Sequence, residues 1–232
     1  MHCYHQPFPC QLIPGQLDQL LENGVLRAAT YTRPYSWTRQ NVELFMDSIM
    51  RHFPLGAISV WAPGEEYFEE EQVRPYLGPE SFELGSTPKA LVIDGYARLA
   101  TLLWVMHRKV GTKAPTPEES AVWTDGYTLV LDFESRAFKF VPDKELFTGL
   151  RIPSWLLKPI PGEGGREMHE IMERRRKVEW AKFDGDVYRE FQQFVFHAQV
   201  ALNRAMLSAI VVEWQEEDRV EEYVKRANFV AG

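Results

Sequence analysis

Two cysteines, Cys3 and Cys10, in a chain of 232 residues are too few for a disulfide framework. With His2 and His5 they supply donor types that zinc accepts, yet two prolines interrupt the gap and no paired-ligand spacing results, so the segment reads as a mobile N-terminal tail. Basic residues are also scarce: 26 lysines and arginines against 33 acids leave a formal charge of −7, which excludes broad electrostatic attraction to nucleic acid. No stretch approaches the roughly 20 apolar residues that span a bilayer. The opening Met1-His2-Cys3-Tyr4-His5 lacks a charged segment followed by an apolar one, so no secretory signal is visible and a cytoplasmic protein without a membrane partner is expected. There is no Gly-x-x-x-x-Gly-Lys-Ser/Thr loop and no Gly-x-Ser-x-Gly elbow, which sets aside Walker-type and serine-nucleophile chemistry. The six histidines (2, 5, 52, 107, 169 and 197) form no adjacent or close helical pair outside the tail. Internal repeats are likewise absent.

What is present is a globular composition, 45% hydrophobic and 13% aromatic. Leu17, Leu20 and Leu21 lie on one face of a first helix over 16–22 that Asn23-Gly24 stops. Arg27 to Tyr31 is extended, because the residue before Pro34 is pushed away from helical geometry. Val42, Phe45, Met46 and Ile49 predict a helix over 38–52 with Thr38 as N-cap. A strand is predicted at 57–61, and 64–88 reads as an irregular acidic insertion near the mouth of any site. Ala90 to Ile93 is a buried strand, 96–110 a helix, and 127–133 with 137–141 a β-hairpin across Glu134-Ser135-Arg136. The loop Ile152-Pro153 through Gly165 punctuates the chain and marks the expected boundary between an α+β core and a largely helical second half. Beyond it lie helices over 168–182 and 187–206, a strand over 209–213 and a final helix over 218–227. The run Arg174-Arg175-Arg176-Lys177, interleaved with glutamates, suits a solvated helix face with i,i+4 pairs, nucleic-acid contact being the alternative.

The most informative string is Val92-Ile93-Asp94-Gly95-Tyr96-Ala97-Arg98-Leu99, which reads as strand, tight turn, helix. Gly95 can adopt the backbone conformation the turn needs. The free N–H groups of the first helical turn, with the Arg98 guanidinium, then make a natural anion site. Asp94, at the strand end, can hold Mg2+ through water or accept a proton; its alternative role is to cap the helix. Arg98 can clamp a β- or γ-phosphate, or simply pair with an acidic neighbour.

A second segment, Tyr31-Thr32-Arg33-Pro34-Tyr35-Ser36-Trp37, leads into the 38–52 helix and then Phe53-Pro54-Leu55-Gly56-Ala57-Ile58. Together with Ile93-Asp94-Gly95-x-x-Arg98-Leu99, it resembles the N-terminal domain family of GmrSD-type restriction proteins, within the ParB/sulfiredoxin-like superfamily. The likeness continues through Leu129-Val130-Leu131-Asp132-Phe133 and Phe138-Lys139-Phe140. It ends in Glu222 to Gly232, similar to the family's Phe-x-Arg-Ile-Asn-x-x-Gly, and so spans nearly the whole chain. It implies an α+β fold, a ParB/sulfiredoxin-like core with a small mixed sheet plus a largely helical C-terminal half. The expected organisation is one interleaved domain over 1–232, with the core at 11–150, a helical insertion at 151–207, and a strand and helix at 208–232 returning to the core.

The same resemblance implies a nucleoside triphosphate with Mg2+ as the bound group. Its phosphates would be held by Arg33, Gly95, Arg98, Thr101 and Asn228, with Asp94 and Arg98 the catalytic pair and Asp94 the metal ligand. Tyr35, Trp37 and Tyr96 are candidates to stack on a base, core anchoring being the alternative for the first two. The chain departs from the family where Tyr96 and Ala97 replace two glutamines, a change that nucleotide binding survives better than hydrolysis. The longer family members carry a second, nuclease domain with a His-centred metal motif, and the histidines here match none. Three readings follow: a nucleotide-binding, nucleotide-hydrolysing domain linked to DNA restriction or phage–host conflict; a phosphotransferase of the same superfamily; and a noncatalytic module that binds DNA or a protein partner such as a separate effector or nuclease.

Overall fold

The computed structural model describes residues 8–12, 14–63, 68–77, 80–81, 88–107, 126–157, 164–178 and 180–230. In chain order the strands are β1 (Phe8–Leu12), β2 (Leu26–Ala28), β3 (Ala57–Trp61), β4 (Tyr76–Leu77), β5 (Glu80–Ser81), β6 (Ala90–Asp94), β7 (Tyr127–Asp132), β8 (Ala137–Pro142), β9 (Arg151–Pro153) and β10 (Leu207–Val212). The helices are α1 (Pro14–Glu22), α2 (Arg39–Met50), α3 (Tyr96–His107), α4 (Gly164–Val178), α5 (Gly185–Arg204) and α6 (Glu217–Val230). The architecture is α+β. The chain divides into two compact units: the first takes Met1–Ser36, Leu55–Leu103 and Met206–Gly232, the second Trp37–Pro54 and Trp104–Ala205.

The first unit is built on a five-stranded mixed sheet of order β1-β10-β3-β6-β2. β10 runs parallel to β3 and antiparallel to β1, while β6 is antiparallel to β3 and parallel to β2. Trp61, Leu91 and Ile93 pack with Val220 and Val224 of α6 and with Phe68 and Val73, closing one face. Ile58, Val60 and Val92, which alternate with them, are buried as well, so β3 and β6 are covered on both faces, as their near-continuous apolar sequences require. The buried Arg27 donates to the carbonyls of Leu21 and Leu26 at 2.8 and 2.9 Å, adding a second bond to the Leu21 carbonyl, which also receives the Gly24 N–H at the end of α1.

Two segments of the first unit differ from the sequence expectation, and in the second unit Arg151–Pro153, expected in a loop, is strand β9 beside β7. Phe8–Leu12, read as part of a mobile tail, is strand β1, with Cys10 opposite Ala209 of β10; extended chain beside an open sheet edge finds ladder partners there. His2, Cys3 and His5 lie outside the described residues, and among the described residues no cluster of three metal-donor side chains occurs. The acidic 64–88 stretch, read as irregular, forms a short helical turn at Glu70–Gln72, an isolated bridge from Val73 to Ala29 and the β4–β5 pair. Its apolar residues explain this: Phe68, Val73 and Leu77 are buried while Glu69 and Glu71 face solvent.

In the second unit, β7 is the middle strand of a three-stranded antiparallel sheet of order β8-β7-β9. Helix α2 starts with a capping box in which Asn41 and Thr38 bond each other reciprocally. It buries Val42, Phe45, Met46 and Ile49, one face at helical spacing. It packs on β8 and α5, and Glu43 accepts a 2.8 Å bond from the Phe140 N–H. Trp180, Tyr188 and Phe191 form an aromatic cluster, tied down where the Trp180 indole donates to the Gly149 carbonyl at 2.8 Å. The hairpin that the sequence reading grouped with the 11–150 core thus shares a unit with the helical region. The run on α4 is largely solvated: Arg174, Arg176 and Lys177 are exposed, Arg176 pairing with Glu173 and reaching to 4.8 Å from the Tyr188 ring, while Arg175 is half-buried 3.6 Å over the Phe147 ring.

Candidate anion-binding site

All but one of the proposed contacts belong to the first unit, around the turn that joins β6 to α3 and the chain entering β3. Gly95 has φ +83°. A Cβ there would sit 2.7 Å from Ile58 Cγ2 and 3.1 Å from the Ala57 carbonyl oxygen, so both backbone conformation and space demand glycine. Gly56, with φ +82°, mirrors it: a Cβ would lie 3.0 Å from Arg98 Nε and 3.3 Å from Cζ. The guanidinium therefore rests on the bare backbone at Gly56, and its Nη1 donates to the Ala57 carbonyl at 3.2 Å. Each glycine makes room for the other segment.

Asp94 and Arg98 adopt neither a capping nor an ion-pairing role among the described residues. Asp94 does not cap α3: the carbonyl of Gly95 receives the first helical bonds, from Arg98 and Leu99 at 3.1 and 3.2 Å. Among the described residues, no hydrogen bond or ion pair engages the half-buried Asp94 carboxylate. Arg98 likewise has no carboxylate partner among them, only the Ala57 carbonyl. A guanidinium with one anchoring bond and several unspent donors stands where the N-terminal end of α3 already favours negative charge.

Arg33 is exposed at a corner held from two directions. Arg74 donates to the carbonyls of Ala29 and Thr32 at 3.1 and 2.5 Å. On the other side the hydroxyls of Tyr35 and Thr101 share a 2.8 Å hydrogen bond. Thr101 lies one turn beyond Arg98, on the same side of α3, so this bond docks the Arg33 corner along the helix that bears Arg98. Thr101 is fully buried and Tyr35 is 7% exposed, which makes them braces of the corner rather than open contacts. Tyr96 is buried too, with the Arg74 guanidinium 4.9 Å from its ring centroid. Trp37 belongs to the second unit, where it packs edge-on against Phe45. Asn228 is carried on α6, but its side chain lies outside the described residues, as does Gly232.

Residues 17–227 match the model of the GmrSD restriction endonuclease N-terminal domain family. The chain belongs to this family. No curated protein matches it. Among the described residues of this GmrSD-family domain, no helix is long and apolar enough to cross a membrane. Reasoning from sequence missed two structural partners of the motif. Gly56 stood in the Pro-x-Gly-x-Ile string, but nothing local to the string says that an arginine 42 positions away lies on it. Arg74, inside the acidic stretch, had no signal at all.

Proposed function

We propose that this chain binds a nucleoside triphosphate, as the nucleotide-responsive module of a DNA-restriction system. The observation that carries the reading is Arg98: its guanidinium is fixed by Ala57, seated on Gly56 and faced by no carboxylate among the described residues. A phosphate there gains a planar donor fork and the helix N-terminus together. Arg33, on its braced corner, supplies the second cation. Magnesium is a hard cation that keeps waters and takes one or two carboxylates plus substrate phosphates. Asp94, a single uncommitted carboxylate, fits that demand only with the triphosphate present. When bound, the ion would neutralise phosphate charge.

The residues after Gly95 favour binding over turnover. Tyr96 is buried under Arg74 and Ala97 has no polar group, so neither orients a water; Asp94 is left to accept a proton alone. These features favour a nucleotide-dependent switch that acts on DNA or on a partner nuclease, with DNA cleavage done by another domain or protein. Calorimetry with ATP, GTP and CTP in magnesium, alongside phosphate-release assays, tests this. The expected result is binding of one nucleotide with little phosphate release, and about ten- to hundredfold weaker binding by Arg98→Ala, the worth of a charge-assisted bond. Equal affinity of Arg98→Ala and wild type would remove the clamp.

A further inference from the structure

The pairing of β6 with β3 slips by one residue next to the site. Trp61 lies opposite Leu91 and Val60 opposite Val92, but Ser59 lies opposite Asp94, leaving Ile93 as the extra residue of a bulge. Ile93 stays in the apolar cluster with Leu91 and Trp61, under α6. The slip therefore turns Asp94 toward the face that also carries Ser59, since directly opposed residues share a face with Cβ atoms about 5 Å apart. Without the extra residue, Asp94 would point to the other side of the sheet.

Ser59 is 3% exposed, and its hydroxyl shares a 2.7 Å hydrogen bond with the hydroxyl of Tyr223 on α6. Either hydroxyl can donate in this pair; Ser59 is too buried to turn its proton to solvent, and when it donates to Tyr223 the phenol oxygen accepts. The half-buried Tyr223 then keeps its own proton to give away. Trp214 packs edge-on against its ring at 5.7 Å, fixing the phenol. The direction of α6 matters as well. Its approach is pinned where Trp61 donates to the Trp214 carbonyl at 2.7 Å, and Tyr223 meets Ser59 further along. The helix thus runs back along β3 toward Ala57, the residue that anchors Arg98.

We propose that Tyr223 is a ligand-contacting residue of the Asp94–Arg98 site, donating its phenolic proton to a phosphate oxygen of the nucleotide. The inference rests on the nucleotide reading above. Asp94 offers only acceptors and Arg98 approaches from the β3 entry, so a neutral donor on the α6 side adds a bond to a phosphate oxygen that neither of them supplies. Ser59 acts through Tyr223 as a positioning residue.

The test is calorimetry with magnesium and ATP, GTP or CTP, plus thermal unfolding, on the full chain as wild type, Tyr223→Phe, Ser59→Ala and the pair S59A/Y223F. Tyr223→Phe is expected to weaken nucleotide binding about tenfold, in the range of a hydrogen bond to a charged group. It also leaves the buried Ser59 hydroxyl without its partner. The pair removes both hydroxyls, so its unfolding midpoint should return toward wild type while its affinity stays about tenfold down. Wild-type affinity in S59A/Y223F would show the hydroxyl pair to be structural and overturn the proposal while leaving the clamp intact. A wild-type chain that binds none of the three nucleotides would remove the nucleotide reading itself, and this inference with it.

Discussion

At residue Gly56 a methyl group would do something different from what it does at Gly95, although both have positive φ. At Gly95 the added carbon meets a β-branched side chain and backbone atoms of β3 at 2.7 to 3.1 Å, and neither can move without shifting the sheet. Gly95→Ala is expected to cost about 2–4 kcal/mol of stability in urea unfolding, backbone strain and overpacking together. At Gly56 the obstacle is the far part of a long side chain, Arg98 Nε at 3.0 Å, which can swing away. Gly56→Ala should therefore cost only about 1 kcal/mol, the strain of an alanine at positive φ, yet weaken nucleotide binding nearly as much as Arg98→Ala. Equal destabilisation by the two substitutions, with nucleotide affinity untouched by Gly56→Ala, would show that the guanidinium's seat is irrelevant to binding.

At the scale of elements, the β8-β7-β9 sheet is pinned by one carboxylate. Asp132, buried on the middle strand, pairs with Arg151 of β9 at 2.5 Å and Lys139 of β8 at 2.8 Å, and accepts bonds from the Ser135 N–H and hydroxyl. Burial by itself would raise its pKa, but the bonds from Lys139, Arg151 and Ser135 outweigh it and hold the carboxyl well below its ordinary range. A carboxylate more acidic in the folded state than in the unfolded one stabilises the fold above the unfolded value. That contribution is lost as pH falls from about 4 toward the native value. The urea midpoint should drop below pH about 4 in wild type. Asp132→Asn should flatten that drop and cost about 2–4 kcal/mol at neutral pH, since it strands two cations. An Asp132→Asn chain as acid-sensitive as wild type would refute the assignment. Asp132 stood in the string that matched the family, and the structure gives it this architectural task in the second unit, not a place at the anion site.

For the whole molecule, the decisive feature is that β10, close to the chain's end, lies between β1 and β3. The first unit cannot complete its sheet until residue 207 onward is available, and α6 must then cross the same sheet to bury Trp61, Leu91 and Ile93. A chain ending at Ala205 should lose the first unit's cooperative unfolding and all nucleotide binding, because an interior strand is removed rather than an edge. The second unit draws its described strands and helices from before that point. Retained nucleotide binding by that truncated chain would contradict this dependence. Such long-range closure also predicts slow folding of the first unit, since loop-closure entropy is spent before distant strands reward it.

Local pattern alone determined a good deal. The periodic apolar positions of α2, the Thr38 cap, strand β3, the Asp94-Gly95 turn and the hairpin of β7 and β8 were all legible, because each is dictated by side-chain spacing and backbone preference within a dozen residues. The sequence also carried the family resemblance and the return of the last strand to the core. Tertiary structure decided the rest, for reasons no local string contains. It set Arg98 on Gly56 through a strand distant in sequence, placed β1 where an open edge could pair it, and buried Tyr35, Tyr96 and Thr101, which their types alone would equally allow at a surface. The one-residue slip opposite Ser59 belongs in the same class: it arises from pairing between strands, and that pairing determines which way Asp94 points.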